Sequence, residues 1–263
     1  MKKILGFTFA VTLFCAPAFA QTFEAIGTVT GGAVDAKATF VSSANTVDIM
    51  LENLIFNQHN ESVGENLSGI FFNLSNGAMF GVGDTLSSSS GASLNVASDG
   101  SYTTGPAGGV SPTNWGFAGG GSVGAFTLND LGPVGGGPTE TIIGPSNDGT
   151  YLTGNYSNAN SSIKGNGPHN PFLESGATFD LTIPGLTAND FVTSVTFQFG
   201  TTFADQLVVG TTVVPEPSTW ICGALAALML VLQITRAHSF SKRASAKKPS
   251  GDHTADGRVF PLS

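Results

Sequence analysis

Between residues 21 and 214 the side chains suited to chemistry are two histidines, a serine framed by glycines and a scatter of carboxylates. His59 precedes Glu61 by two positions, and a strand would turn both to one face, as an acid/base or metal pair requires. The surrounding Asn57-Gln58-His59-Asn60-Glu61-Ser62 has the composition of a solvated turn, which argues against such a pair. Ser122 stands in Gly120-Gly121-Ser122-Val123-Gly124, the G-x-S-x-G pattern of a nucleophile elbow, and residues 119–124 also match G-x-G-x-x-G. The elbow needs a preceding strand, a following helix and later Asp and His, while the glycine loop needs a βαβ unit. Ser122 instead opens an expected strand, and 31 glycines in residues 21–214 make chance matches common. His169 lies in the stiff loop Gly167-Pro168-His169-Asn170-Pro171. No enzyme is expected from this set.

Asp99-Gly100, Asp148-Gly149 and Asn129-Asp130 offer the oxygens that calcium takes, but no stretch reads D-x-[DN]-x-[DN]-G, so turns are the preferred reading. No metal ligand is assigned and no cofactor is expected. Trp115, between Pro112-Thr113-Asn114 and Gly116-Phe117, either stacks on a sugar or caps the core, and is the one candidate ligand contact. Residues 21–214 hold two lysines and no arginine against fifteen acids, a formal charge of −13. That balance excludes nucleic acid, which needs a positive footprint, and attraction to anionic lipid; it favours solubility and weak attraction of divalent cations. The two cysteines, Cys15 and Cys222, both fall outside this region, so neither a disulfide scaffold nor a thiolate metal site is available to it.

The elements that must position these residues read as strands. Apolar residues recur with a period of two over 22–30, 38–42, 46–51, 69–74, 123–128, 177–183, 192–199 and 206–213. Clusters of Gly, Ser, Asn, Asp and Pro separate these runs, and no ten-residue stretch has helical periodicity. The expected fold is all-β, an antiparallel β-sandwich or jelly-roll-like domain. Residues 87–124 and 133–171, rich in Gly, Ser and Asn, are expected as long loops or irregular edge strands.

The ends carry an address. Lys2 and Lys3, an apolar run over 4–14 and Ala18-Phe19-Ala20 form a secretory signal peptide over residues 1–20. Leu13-Phe14 before Cys15 lack the small residues of a lipid-attachment site. The exported region is 21–212, followed by a motif and apolar segment over 213–236 and a basic, polar tail over 237–263. Pro215 and Pro217 bias Val214 and Glu216 to extended backbone. Residues 220–234, as a helix, would span about 22 Å against a hydrocarbon core of roughly 30 Å, a short transmembrane helix. Arg236, Lys242, Arg243, Lys247 and Lys248 put its far side in the cytoplasm.

Motif, apolar helix and basic flank, carried by Val214-Pro215-Glu216-Pro217-Ser218-Thr219-Trp220 and the residues after it, closely resemble the PEP-CTERM sorting signal of bacterial exported proteins. The resemblance covers roughly 213–243 and makes Pro215, Glu216 and Pro217 the sorting motif. It implies export through the Sec machinery, an inner-membrane-anchored precursor held by the C-terminal helix, and processing by an exosortase-type enzyme. It further implies delivery to the cell surface or outside, and a link to exopolysaccharide and biofilm matrix. The chain continues past the basic cluster from Ala244 to Ser263, where the family usually stops, and a plain C-terminal anchor is the alternative. The expected function is that of a structural or adhesive protein of envelope or matrix; a carbohydrate- or calcium-binding surface module is the alternative.

Overall fold

Alternation with a period of two dictates the first part of the architecture. In the computed structural model, which describes residues 20–55, 59–106, 109–132, 135–145 and 155–213, β1 (Ala20–Val29), β2 (Gly32–Ser43) and β3 (Thr46–Asn53) form an antiparallel meander. Phe23, Ala25, Val34, Ala36, Ala38, Phe40, Val47, Ile49 and Leu51 are buried while most of the residues between them face outward. The β1–β2 turn is tight because Gly31 has no side chain: a Cβ there would approach the Gly64 backbone to 2.8 Å. Gly64 belongs to the 3-10 turn Val63–Glu65, whose start is closed by a capping box between Ser62 and Glu65.

The remaining strands are β4 (Leu67–Leu74), β5 (Thr85–Val96), β6 (Tyr102–Thr104), β7 (Gly116–Ala118), β8 (Phe126–Asn129), β9 (Ile142–Ile143), β10 (Phe172–Thr182), β11 (Val192–Phe199), β12 (Gln206–Val209) and β13 (Thr211–Val213). The described fold is therefore all-β, one sheet of 13 strands within a single compact unit. One run of strands reads β13-β1-β2-β3-β10-β5-β6 and a second β12-β11-β4-β8-β7. The short β9 joins the runs, antiparallel to β4 and parallel to β10.

The runs are also stitched at their far ends. The chain passes from β12 to β13 through Gly210 alone, leaving the edge beside β11 and joining the edge beside β1. At this seam the Gln21 side chain acts like a strand residue: its Oε1 accepts the Val192 N–H at 2.7 Å and its Nε2 donates to the Val192 carbonyl at 3.3 Å. The Thr30 N–H donates to Gln206 Oε1 at 2.6 Å further along. Between the runs lies the core. Phe40 of β2 meets Phe72 of β4 with ring centroids 5.6 Å apart, although those strands are not sheet neighbours, and Phe72 stacks on Phe126 at 5.2 Å.

Among the described residues of the middle of the chain, part of the stretch expected as loops is a long strand. The serine-rich 87–92 stretch lies inside β5, paired with β10, so its hydroxyls replace an apolar face on an exposed strand. A second core cluster holds Leu94, Val96, Ile143, Tyr156, Ala159, Ile163 and Phe172, so isolated apolar residues of the 155–170 segment are buried. The expected strand over 123–128 begins only at Phe126, and the parallel β9–β10 pair departs from a purely antiparallel sheet. Among the described residues no helix is long and apolar enough to cross a membrane. The signal-peptide and C-terminal helix readings fall on 1–19 and 214–263, outside the described residues.

Candidate functional site

β8 is buried along its whole length, and the residue that follows it keeps that burial while carrying a charge-bearing side chain. Asp130 is 0% exposed, and neither carboxylate oxygen has a hydrogen-bond partner. Its backbone is fully committed: the N–H donates to the Ser68 carbonyl at 3.0 Å and the carbonyl accepts from Gly137 N–H at 3.1 Å. Burial drives the carboxyl well above the usual carboxylate range; its own amide opposes this, and the neighbouring Glu140 charge adds to it. A buried carboxylate without a partner is costly, because nothing replaces the water it has left.

Glu140 is fixed from several sides. Its backbone sits in the left-handed region, φ 71°, which a non-glycine residue adopts only when its surroundings hold it there. Its N–H donates to the Pro171 carbonyl at 2.7 Å, and Oε2 accepts the Asn114 N–H at 2.8 Å. Its carbonyl accepts the Trp115 indole N–H at 2.9 Å. Trp115 is 4% exposed and lies against Phe179, ring centroids 4.7 Å apart. The indole thus stands in the core beside the Glu140 backbone, with little surface left for stacking on a sugar.

Asn66, also 0% exposed, donates through Nδ2 to Thr141 Oγ1 at 3.1 Å, while its Oδ1 has no partner. Gly135 lies so close to Asp130 that a Cβ would collide with the Asp130 carbonyl group. Gly135 therefore packs on the Asp130 backbone, and among the described residues three buried side-chain oxygens, two from Asp130 and one from Asn66, have no donor. Nearby polar groups contrast with these. Asn129 and Gln198 exchange hydrogen bonds at 3.1 and 3.3 Å, in a space that Gly69 leaves open.

The other sequence candidates are separated from this place. His59 and Glu61 are exposed, and the carboxylate with structural work near them is Glu65, which accepts the N–H groups of Glu61 at 2.6 Å and Ser62 at 3.1 Å. Burial raises the Glu65 carboxyl, those two hydrogen bonds oppose the rise, and Glu61 raises while His59 lowers it. Ser122 lies in an exposed turn, and the strand after it, β8, starts four residues on, so it has no nucleophile-elbow setting. His169 Nδ1 is 2.8 Å from the Ser162 carbonyl. Asp99 is an exposed turn residue held low by the Ser101 hydroxyl and amide, and Gly100 has φ 86°. Asn60-Glu61-Ser62 and Asn66-Leu67-Ser68 match the N-x-S glycosylation pattern, but both asparagines are fully buried and cannot carry glycans in the folded chain. Asp148-Gly149 and the motif Pro215, Glu216 and Pro217 lie outside the described residues.

No family model, curated protein or solved structure matches the chain. Glu140 and Asn66 carry no sequence signal of their own as site residues. Asp130 carried a faint one, an Asn-Asp pair directly after the apolar Phe126-Thr127-Leu128.

Proposed function

We infer that the chain is an exported protein of the bacterial envelope or extracellular matrix, with a structural or adhesive role, delivered by a PEP-CTERM-type signal. The exported body is read as an antiparallel β-sandwich of jelly-roll type, its two strand runs facing each other across the phenylalanine core. The observation that carries the reading is the order of segments at the carboxy end: Pro215-Glu216-Pro217, an apolar run, then Arg236, Lys242 and Arg243. The position of the body's ends supports it. Thr22 pairs with Val213 across β1 and β13, so the residues flanking the expected signal cleavage and those leading into the sorting motif lie side by side. A body built without cysteine and with an acidic surface suits folding after export.

The partners in this reading are the Sec machinery, an exosortase-type enzyme, the membrane during transit and exopolysaccharide at the destination. The reading as a calcium- or carbohydrate-binding module gains support only on its cation side, from the unpartnered Asp130 carboxylate. Fractionating cells with and without the processing enzyme tests the proposal. The full chain should accumulate in the inner membrane when the enzyme is deleted, and equal release from both strains would contradict it.

A further inference from the structure

We propose that the loops 75–84 and 183–191 form an apolar tip whose Met79, Phe80, Val82 and Phe191 insert into the outward face of the membrane, resting on the membrane-held precursor inferred above. Among the described residues seven large apolar side chains are exposed, and four belong to this tip: Val82 is fully exposed, Met79 67%, Phe191 50% and Phe80 37%. Apolar exposure gathered in one place marks an interaction surface.

Strand directions put the tip where the chain leaves the body. β4 ends at Leu74 opposite Val192 of β11, and the Val192 backbone is bonded to the Gln21 side chain at the start of β1. β5 begins at Thr85 beside Thr182, which faces Thr46, which in turn faces Ser43 at the same end of β2. β1 meets β13 there through Thr22 and Val213. Both chain exits, toward the signal peptide and toward the sorting motif, therefore share one end of the body with the tip. From Val213 to Trp220 the chain takes seven steps, at most roughly 25 Å when fully extended. With residues 220–234 in a bilayer, this end is held within that distance of the lipid, which makes lipid the cover for the tip.

The tip is braced. Phe80 stands edge-on to Phe117 with centroids 5.3 Å apart, the Ser75 N–H donates to the Phe191 carbonyl at 2.8 Å, and the Phe191 N–H donates to Ser75 Oγ at 3.0 Å. The carboxylates of the two loops are turned to the loops' own donors: Asp84 accepts the Gly81 N–H at 2.7 Å, and Asp190 accepts the Thr187 N–H and hydroxyl, each at 2.8 Å. Neither loop holds lysine or arginine, so apolar area and not charge drives insertion, and zwitterionic headgroups suit it.

The test uses the full chain with Cys15→Ala and Cys222→Ala and a nitrobenzoxadiazole probe on Val82→Cys, reconstituted into phosphatidylcholine vesicles with or without nitroxide-labelled lipid. Emission should shift to the blue, and nitroxide should quench it at least twofold more than a probe on Thr202→Cys, an exposed site between β11 and β12 at the opposite end. Adding Met79→Ser and Phe191→Ser, at side chains already half or more exposed, should cut that quenching at least twofold and leave flotation with the vesicles unchanged. Equal quenching at the two probe positions, or quenching indifferent to the two serines, overturns the tip and leaves the anchor standing. Blue emission that ignores nitroxide and grows with the protein-to-lipid ratio gives the tip to a second copy and likewise overturns it. A chain that does not float with the vesicles overturns anchor and tip together. Should the double variant fail to fold, the comparison of the two probe positions decides alone.

Discussion

At the scale of single residues, the described side chains with chemical potential divide into those satisfied by the fold and those left with a deficit. Trp115 is satisfied: its indole N–H has a carbonyl partner and its ring is covered. Trp115→Ala should cost about 3–5 kcal/mol of folding stability, as for other large aromatic-to-alanine changes in cores, read from urea denaturation. An exposed stacking platform would lose ligand and keep its stability. Asn53 behaves similarly, its amide donating to the Glu65 and Ile142 carbonyls at 3.2 and 2.9 Å while its oxygen accepts the Ile55 N–H at 3.1 Å. Asn53→Ala leaves those buried groups unmatched and should cost about 1–3 kcal/mol in the same measurement. The core placement of Trp115 was one of the two readings its sequence setting offered, but the hydrogen-bond partners of Trp115 and Asn53 were not legible locally. The burial of Asp130 behind Gly135, which packs on its carbonyl group, is likewise a tertiary event that no spacing rule encodes.

At the scale of elements, β1 to β4, β10 and β11 were readable because their inward faces are apolar at every second position. β5 was hidden because Ser and Gly fill both of its faces over 87–91, and β9 because two residues set no period. The strands also make cross-strand errors that can be corrected. Asp48 and Asp180 are direct partners across β3 and β10. The Asp48 carboxyl is raised above its ordinary 3.8, first by burial and second by the Asp180 charge. The folded chain therefore holds this proton more tightly than the unfolded chain, and the associated stability is lost as pH rises from 3.8 through the raised value. Asp48→Asn should be more stable than the parent at neutral pH by about 0.2–1 kcal/mol, toward the lower figure because the side chain is exposed and screened. Below pH 3.8 the difference should vanish, as denaturation midpoints across pH will show. The seam between β1 and β11 was invisible in sequence because its agent is one glutamine amide. Gln21→Ala removes both bonds to Val192 and should lower stability by about 1–2 kcal/mol, whereas an unchanged midpoint would mean the seam holds without it.

At the scale of the whole molecule, a cysteine-free acidic β-body is joined to terminal segments of opposite character, a positive and apolar start and a Pro-Glu-Pro, apolar and basic finish. The body ends at the β1–β13 pair, so removing both segments would leave its hydrogen-bonded ladder closed between Thr22 and Val213. Sorting through the finish is the central claim, and intact mass of the surface-extracted protein tests it most directly. A mature chain beginning at Gln21 and ending near Pro215, or carrying an added group there, is predicted, together with retention of the full carboxy end when Pro215, Glu216 and Pro217 are replaced by alanine. A surface protein that still ends at Ser263, with the motif intact, would contradict it.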